Sequence, residues 1–327
     1  MKFEDRVYGK QTVEKEVIKE LIESKPVQRL KKVHQAGPSP FFIEDKPYIT
    51  RFEHSIGVFL LLREFNASLE EQIAGLLHDV PHTAFSHVAD FVFEDEGHEY
   101  HERFMEDIIY DSEIQEMLKR HGYSTEKILD ESRFGLMERE LPKLCADRLD
   151  YSMRDLQSHF NDDNRPVLEA LTVKDGEFVF KDREQAQRYT ELFIKLDSQV
   201  YASPEEVAIH EIFSDIIRKG LEEGKIDEED LFGTDRELME KLRNIEDEEV
   251  QRKFDILDNG IEVEINEEEY DLKGSTKARA VDPPVIHNSN TVKVSEFSPE
   301  TDRRIREHLE RINRGLKINI VNQSVDL

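Results

Sequence analysis

The residues best suited to chemistry are the adjacent pair His78-Asp79, which follows the apolar run Ile73-Ala74-Gly75-Leu76-Leu77. An imidazole nitrogen beside a carboxylate oxygen offers the borderline and hard donors that bind zinc, iron, manganese or magnesium. Two donors do not complete a site. Half of the chain's 12 histidines lie from His54 to His101, a clustering that favours metal or proton-transfer chemistry. His54 is the candidate third ligand and Asp147 a candidate fourth.

Three helices must position these groups. Ser68 and Glu71 have capping-box spacing, so one helix starts near Leu69, buries Ile73, Ala74, Leu76 and Leu77, and ends at His78-Asp79. Pro81 forces the break, because it lacks a backbone N–H and disfavours helical geometry at Val80. Thr50 and Glu53 repeat the spacing, which puts His54 in the first turn of a helix packed through Ile56, Phe59, Leu60 and Phe65. A short loop joins the two, so they pack together. The third helix is expected from about Met137 to Phe160, with Cys145, Leu149, Met153, Leu156 and Phe160 along one side. Asp147, Tyr151, Arg154 and Ser158 line the opposite side at helical spacing. That stripe is either a solvated face or a functional one, in which Asp147 ligates metal while Arg148, Tyr151 and Arg154 address substrate phosphate or sugar.

Bulk properties narrow the partners. The 327 residues suggest about two domains. Acids exceed bases by 73 to 45, a formal charge of −28, and such a field disfavours nucleic-acid polymers and anionic membranes. A small nucleotide is easier to accommodate. The single cysteine, Cys145, permits neither an internal disulfide nor a cysteine zinc knuckle. The N-terminus lacks a signal-peptide core and no apolar run approaches a membrane span, so a cytoplasmic protein is expected.

The rest of the chain reads as scaffold with local exceptions. A helix is expected from Thr12, burying Val13, Val17, Ile18, Leu21 and Ile22. Residues 27–37 form a basic island, either a solvated helix face or a phosphate-facing one. His101 reads as a surface residue. Residues 171–180 read as a hairpin around Asp175-Gly176, and Ser203-Pro204 and Thr234 as helix starts. Beyond about residue 250 come short strand-like runs and a helix at Ser298-Pro299. The fold expected is mainly α, a helical bundle with a small α+β C-terminal appendage. Its segments are 1–165 as core, 166–249 as helical extension and 250–327 as appendage.

The ordered set His54, His78-Asp79 and Asp147 resembles the HD-domain metal-dependent phosphohydrolases, which carry H…HD…D on a helical bundle. The wording of residues 51–58, 78–87 and 147–155 is similar to the deoxynucleoside triphosphate triphosphohydrolase branch, and residues 277–283 show a weaker similarity. The resemblance implies a divalent metal (iron, manganese, zinc, nickel or magnesium) on His54, His78, Asp79 and Asp147. It further implies active-site histidines at His82, His87 and His98. Sugar contacts fall on Gln35, Asp155 and Tyr201, and phosphate contacts on Arg51, Arg148 and Tyr151. Where a vertebrate relative has another phosphate-contacting arginine this chain has Phe193, with Lys195 nearby as a substitute, and a histidine is lost near Asp197. The implied activity releases deoxynucleoside and inorganic triphosphate, and the implied assembly is a homo-dimer or tetramer. The alternatives are an HD nucleotidase or phosphodiesterase acting on another nucleotide, and a nucleotide sensor with weak turnover.

Overall fold

The computed structural model describes residues 1–93, 100–288 and 290–321. Its centre is a helical hairpin. Thr50 caps the Arg51–Glu64 helix with a reciprocated capping box to Glu53, and Ser68 caps the Leu69–Leu77 helix by accepting the Glu71 N–H. Glu71 does not return that bond. Its carboxylate instead accepts the Leu136 and Met137 N–H groups at 2.6 and 3.2 Å, tying the helix to the chain that leads into the third one.

The Arg51–Glu64 helix is buried at ten of its positions, so it runs through the core between its partners. Gly57 permits the closest approach. A Cβ there would fall 1.9 Å from Asp150 Oδ1 and 2.2 Å from Arg154 Nη2, so any side chain would drive the third helix away. That helix spans Ala146–Phe160 rather than starting at Met137. Pro142 interrupts the earlier stretch, and the Glu71 contacts hold its beginning outside the helix, so residues 137–144 form a wall of the cleft described below.

The N-terminus also differs from expectation. Lys2–Asp5 and Gly9–Thr12 pair as an antiparallel hairpin, and the helix begins only at Glu16. Asp5 accepts the Val7 and Tyr8 N–H groups, and Gly9 takes φ +68°, a conformation glycine adopts without strain. The apolar face is nonetheless the expected one, with Val13, Val17, Ile18, Leu21 and Ile22 buried.

Two small sheets flank the helices. The hairpin Leu171–Lys174 and Glu177–Phe180 joins Pro284–His287 and Asn290–Lys293 in one four-stranded sheet. The other sheet sets Leu316–Ile320 between Val263–Ile265 and Leu272–Gly274. The Pro299–Asn313 helix starts at the Ser298 cap. Among the described residues no helix is long and apolar enough to cross a membrane.

Candidate metal centre and active-site cleft

Four predicted ligands converge where the helices meet. His54, His78 and Asp147 present donor atoms all within 4.8 Å of one another. His54 Nε2 lies 2.9 Å from Asp147 Oδ1 and 3.3 Å from His78 Nε2. Asp79 closes the set, with oxygens 3.4 Å from His78 Nε2 and 3.9 Å from His54 Nε2. Metal–ligand bonds of roughly 2.0–2.1 Å place neighbouring donors about 3.0–3.4 Å apart, so the His54–Asp147, His54–His78 and His78–Asp79 separations suit one ion, while His78 to Asp147 at 3.6 Å and His54 to Asp79 at 3.9 Å are wider. The ring orientations fit as well. His54 Nδ1 is held by Asp150 Oδ2 at 2.8 Å and His78 Nδ1 by Gly75 O at 2.8 Å, which fixes both rings with Nε2 toward the centre, as in carboxylate–histidine–metal sites.

The acids set the charge of this pocket. Burial pulls the His54 imidazole down, but hydrogen bonds to Asp147 and Asp150 and the charge of Asp79 hold it up at about 10. His78 is raised in the same way, with Asp79 and Asp147 opposing burial. Burial would lift the Asp79 carboxyl, yet Arg51, His78 and His82 keep it well below the carboxylate range. A pocket so rich in carboxylate is matched by a cation. Bound here, a divalent ion would polarise a phosphoryl oxygen and lower the pKa of its water.

On the other side of Asp79 stand His82, His87 and His101. His82 Nε2 is 3.2 Å from Asp79 Oδ1, and the His101 ring stacks on His82 at 3.6 Å with planes 18° apart. His87 Nδ1 donates to Asp90 Oδ2 at 2.9 Å. All three are held neutral, chiefly by burial: His82 well below the usual range, His87 lowered and His101 at about 3. The ring nitrogens of the three also lie within 4.8 Å. An ion in the plane of one stacked ring would lie out of the plane of the other, so the arrangement suits proton transfer better than a shared metal. The loop between them is bent: Phe85 and Ser86 take φ +58° and +52°, sparsely populated for residues with side chains. Asp235 anchors it by accepting the Phe85 N–H at 2.7 Å, and the His34 N–H at 2.7 Å.

The HD-domain family model matches residues 51–155, the segment that holds all four candidate ligands. The chain is 32% identical to the metal-dependent phosphohydrolase cns2 of Cordyceps militaris, over 86% of this chain and 84% of cns2. The chain belongs to the HD-domain metal-dependent phosphohydrolases. It is also 37% identical to YdhJ of Bacillus subtilis, an uncharacterised protein, over 99% of this chain and all of that one. A phosphohydrolase of Bacteroides thetaiotaomicron shares the fold at a TM-score of 0.65 and 17% identity, over 97% and 98% of the two chains.

In this phosphohydrolase the candidate ligands His78, Asp79 and Asp147 open onto a cavity of about 1480 Å³, larger than the usual ligand pocket of roughly 300–1,000 Å³. His54 is sealed, while the Asp147 side chain is 21% exposed toward the opening. Gln35, Arg51, Arg148, Tyr151, Asp155 and Tyr201 all line the cavity. Gln35 Oε1 is buried there without a partner. Tyr201 Oη donates to Asp155 Oδ2 at 2.6 Å, and the Tyr151 ring lies 6.4 Å from His54 and 6.0 Å from Tyr201.

Several sequence expectations are corrected. Arg154 does not face substrate: fully buried, it donates to Asp150 at 2.9 Å and to Asp5 at 3.1 Å, bracing the carboxylate that orients His54. Lys195 does not substitute for the missing arginine. It lies 3.9 Å above the Phe160 ring and is not among the residues lining the cavity. In the basic island, Arg29 donates to Gly233 O, Val80 O and His82 O, so it clamps the turn after the ligands. His101 is no surface residue; its stack on His82 was invisible in a sequence whose only signal was the spacing His98-Glu99-Tyr100-His101. His98 lies outside the described residues.

Proposed function

We propose that this phosphohydrolase cleaves deoxynucleoside triphosphates into deoxynucleoside and inorganic triphosphate. One observation carries the reading: the Tyr201–Asp155 pair and the unpartnered Gln35 Oε1 face the cavity that the metal ligands open onto. A buried acceptor without a partner costs about 1–3 kcal/mol, and a sugar hydroxyl donating to Gln35 would recover it. With the sugar there, the α-phosphate reaches the ligand set. Arg51, bonded to Asp79 at 3.1 Å and to Ser86 at 2.9 Å, contributes positive charge beside it.

The departing 5′-oxygen takes a proton from the histidine cluster. His82, His87 and His101 are neutral without substrate, and the negative charge of an entering phosphate raises their proton affinity. Asp90 behind His87 favours the imidazolium further.

A monophosphate nucleotidase is the second reading. Phe193 is fully buried and Lys195 is occupied on Phe160, so two positions implied for phosphate bring no charge to the cavity. A product assay decides between the two. Purified protein of known metal content is incubated with each deoxynucleoside triphosphate and monophosphate, and products are separated by chromatography. Deoxynucleoside with triphosphate, abolished in Asp79→Ala, is expected; inorganic phosphate from monophosphates alone would overturn the triphosphate reading.

A further inference from the structure

Both arginines implied for phosphate are largely committed inside the protein. Arg51 spends Nη1 on Asp79 and Nε on Ser86. Arg148 spends Nη1 on the carbonyls of Arg139 and Lys143 and Nη2 on that of Arg139. A chain of three phosphates needs more positive charge than this leaves.

Arg279 supplies it from the appendage. It lines the cavity, with its guanidinium carbon 6.0 Å from the Tyr201 ring centroid. Its charge also reaches the groups at the centre of the site, lowering the proton affinity of His87, Tyr151 and Tyr201 against the other influences there. Its guanidinium donates to Lys277 O at 3.1 Å, and among the described residues it forms no ion pair with a carboxylate. In a chain with 73 acids to 45 bases, an arginine left without one beside a phosphohydrolase cleft calls for an anionic ligand.

The backbone carrying Arg279 is fixed on both sides. His308, buried on the Pro299–Asn313 helix, shares its Nε2–H between Asp197 Oδ2 at 2.8 Å and Arg279 O at 3.1 Å, while Nδ1 accepts from Ser198 Oγ at 3.2 Å. This tautomer is assigned from the partners. Asp197 and Ser198 begin the π-helical turn Asp197–Tyr201, so one imidazole registers Arg279 against Tyr201. Three residues on, Asp282 accepts the Ser295 N–H and Oγ–H at 2.9 and 2.6 Å, and its own N–H donates to Pro142 O in the cleft wall. Ala280 and Val281 between them are buried.

We propose that Arg279 binds the phosphates beyond the α-phosphate, with His308 as its positioning residue, so that the appendage selects polyphosphorylated substrates. This rests on the triphosphate reading above. The test uses the full chain and its Arg279→Gln, Arg279→Lys and His308→Asn variants. KM is measured for deoxynucleoside triphosphates, and calorimetry gives the Kd of inorganic tripolyphosphate and of inorganic phosphate.

Arg279→Gln is expected to weaken triphosphate KM and tripolyphosphate Kd by about 10–100-fold, the scale of a charge-assisted hydrogen bond, and to change phosphate Kd by less than about two-fold. Arg279→Lys should recover part of the loss. His308→Asn should reproduce part of it while leaving phosphate binding alone, a selectivity that mere loosening of the fold would not produce. Equal weakening of tripolyphosphate and phosphate, or none of either, overturns the proposal. Wild-type turnover separates the two ideas: if the unmodified protein releases no triphosphate from any substrate, the underlying reading falls and this proposal with it. If it does release triphosphate and Arg279→Gln leaves KM unchanged, only the proposal falls.

Discussion

The histidines on the two sides of Asp79 are shifted in opposite directions. His54 and His78 are held protonated or raised, whereas His82, His87 and His101 are pushed down. Burial is the largest influence on all five and always opposes the charged form. The difference lies in what faces the rings. Asp79, Asp147 and Asp150 surround the first pair, while the second set meets Arg51 and its own members, with Asp79 beside His82 and Asp90 bonded to His87. We propose that one histidine set holds a cation and that the other accepts and returns a proton.

The sharpest break of that comparison is His101→Asn. Loss of a proton-transfer group should lower kcat by about 10²–10⁴, with bound metal unchanged by atomic absorption. A parallel fall in metal content would move His101 into the ligand set.

Asp150→Asn probes the opposite side. The amide can still accept the His54 Nδ1–H but no longer supports it with charge, and losses at such outer partners run about 10–100-fold in metal affinity. Chelator competition measures this. Asp90→Asn is the matched control and should leave metal affinity alone while lowering kcat. If both variants lost metal equally, the two sets would not differ in role.

Stability offers a smaller test. Asp235→Ala removes the acceptor of two N–H groups, from His34 and from Phe85 in the bent loop before His87. Each orphaned buried donor costs about 1–3 kcal/mol, and urea unfolding should show a loss of a few kcal/mol. Metal affinity should hold, because no ligand lies on either anchored segment.

What the sequence made legible was local. Capping at Thr50 and Ser68 and the break at Pro81 each depend on residues within a few positions, and together they place His54, His78 and Asp79. Pro142 was equally readable and marks why the third helix starts at Ala146. The failures were contacts across long separations. Arg154 shares the helix face of Asp147 by spacing, yet Asp5, 149 residues away in the chain, claims it. His308 and Asp197 are 111 residues apart, and no periodicity announces such a pair. Gln35, Asp155 and Tyr201 became visible only through the family resemblance, because the lining of a cleft is assembled from separate elements.

The smallest expected effect concerns Asp155, which belongs to neither histidine set but follows the same physics. Burial pushes its carboxyl up to about 6 while the Tyr201 hydroxyl pulls it back. Unfolded, the group titrates near 3.8, so between these values the folded chain holds a proton that the unfolded chain has released. Stability from this site therefore declines as pH rises from about 4 to 6. Tyr201→Phe removes the donor that favours the carboxylate and should move the folded value above 6, prolonging the decline toward neutrality. Melting curves of the variant and the parent should differ least at pH 5, where the carboxyl is protonated in both, and diverge by pH 7. A deficit constant across pH would mean that Tyr201 serves only as packing against Tyr151, and that burial alone governs Asp155.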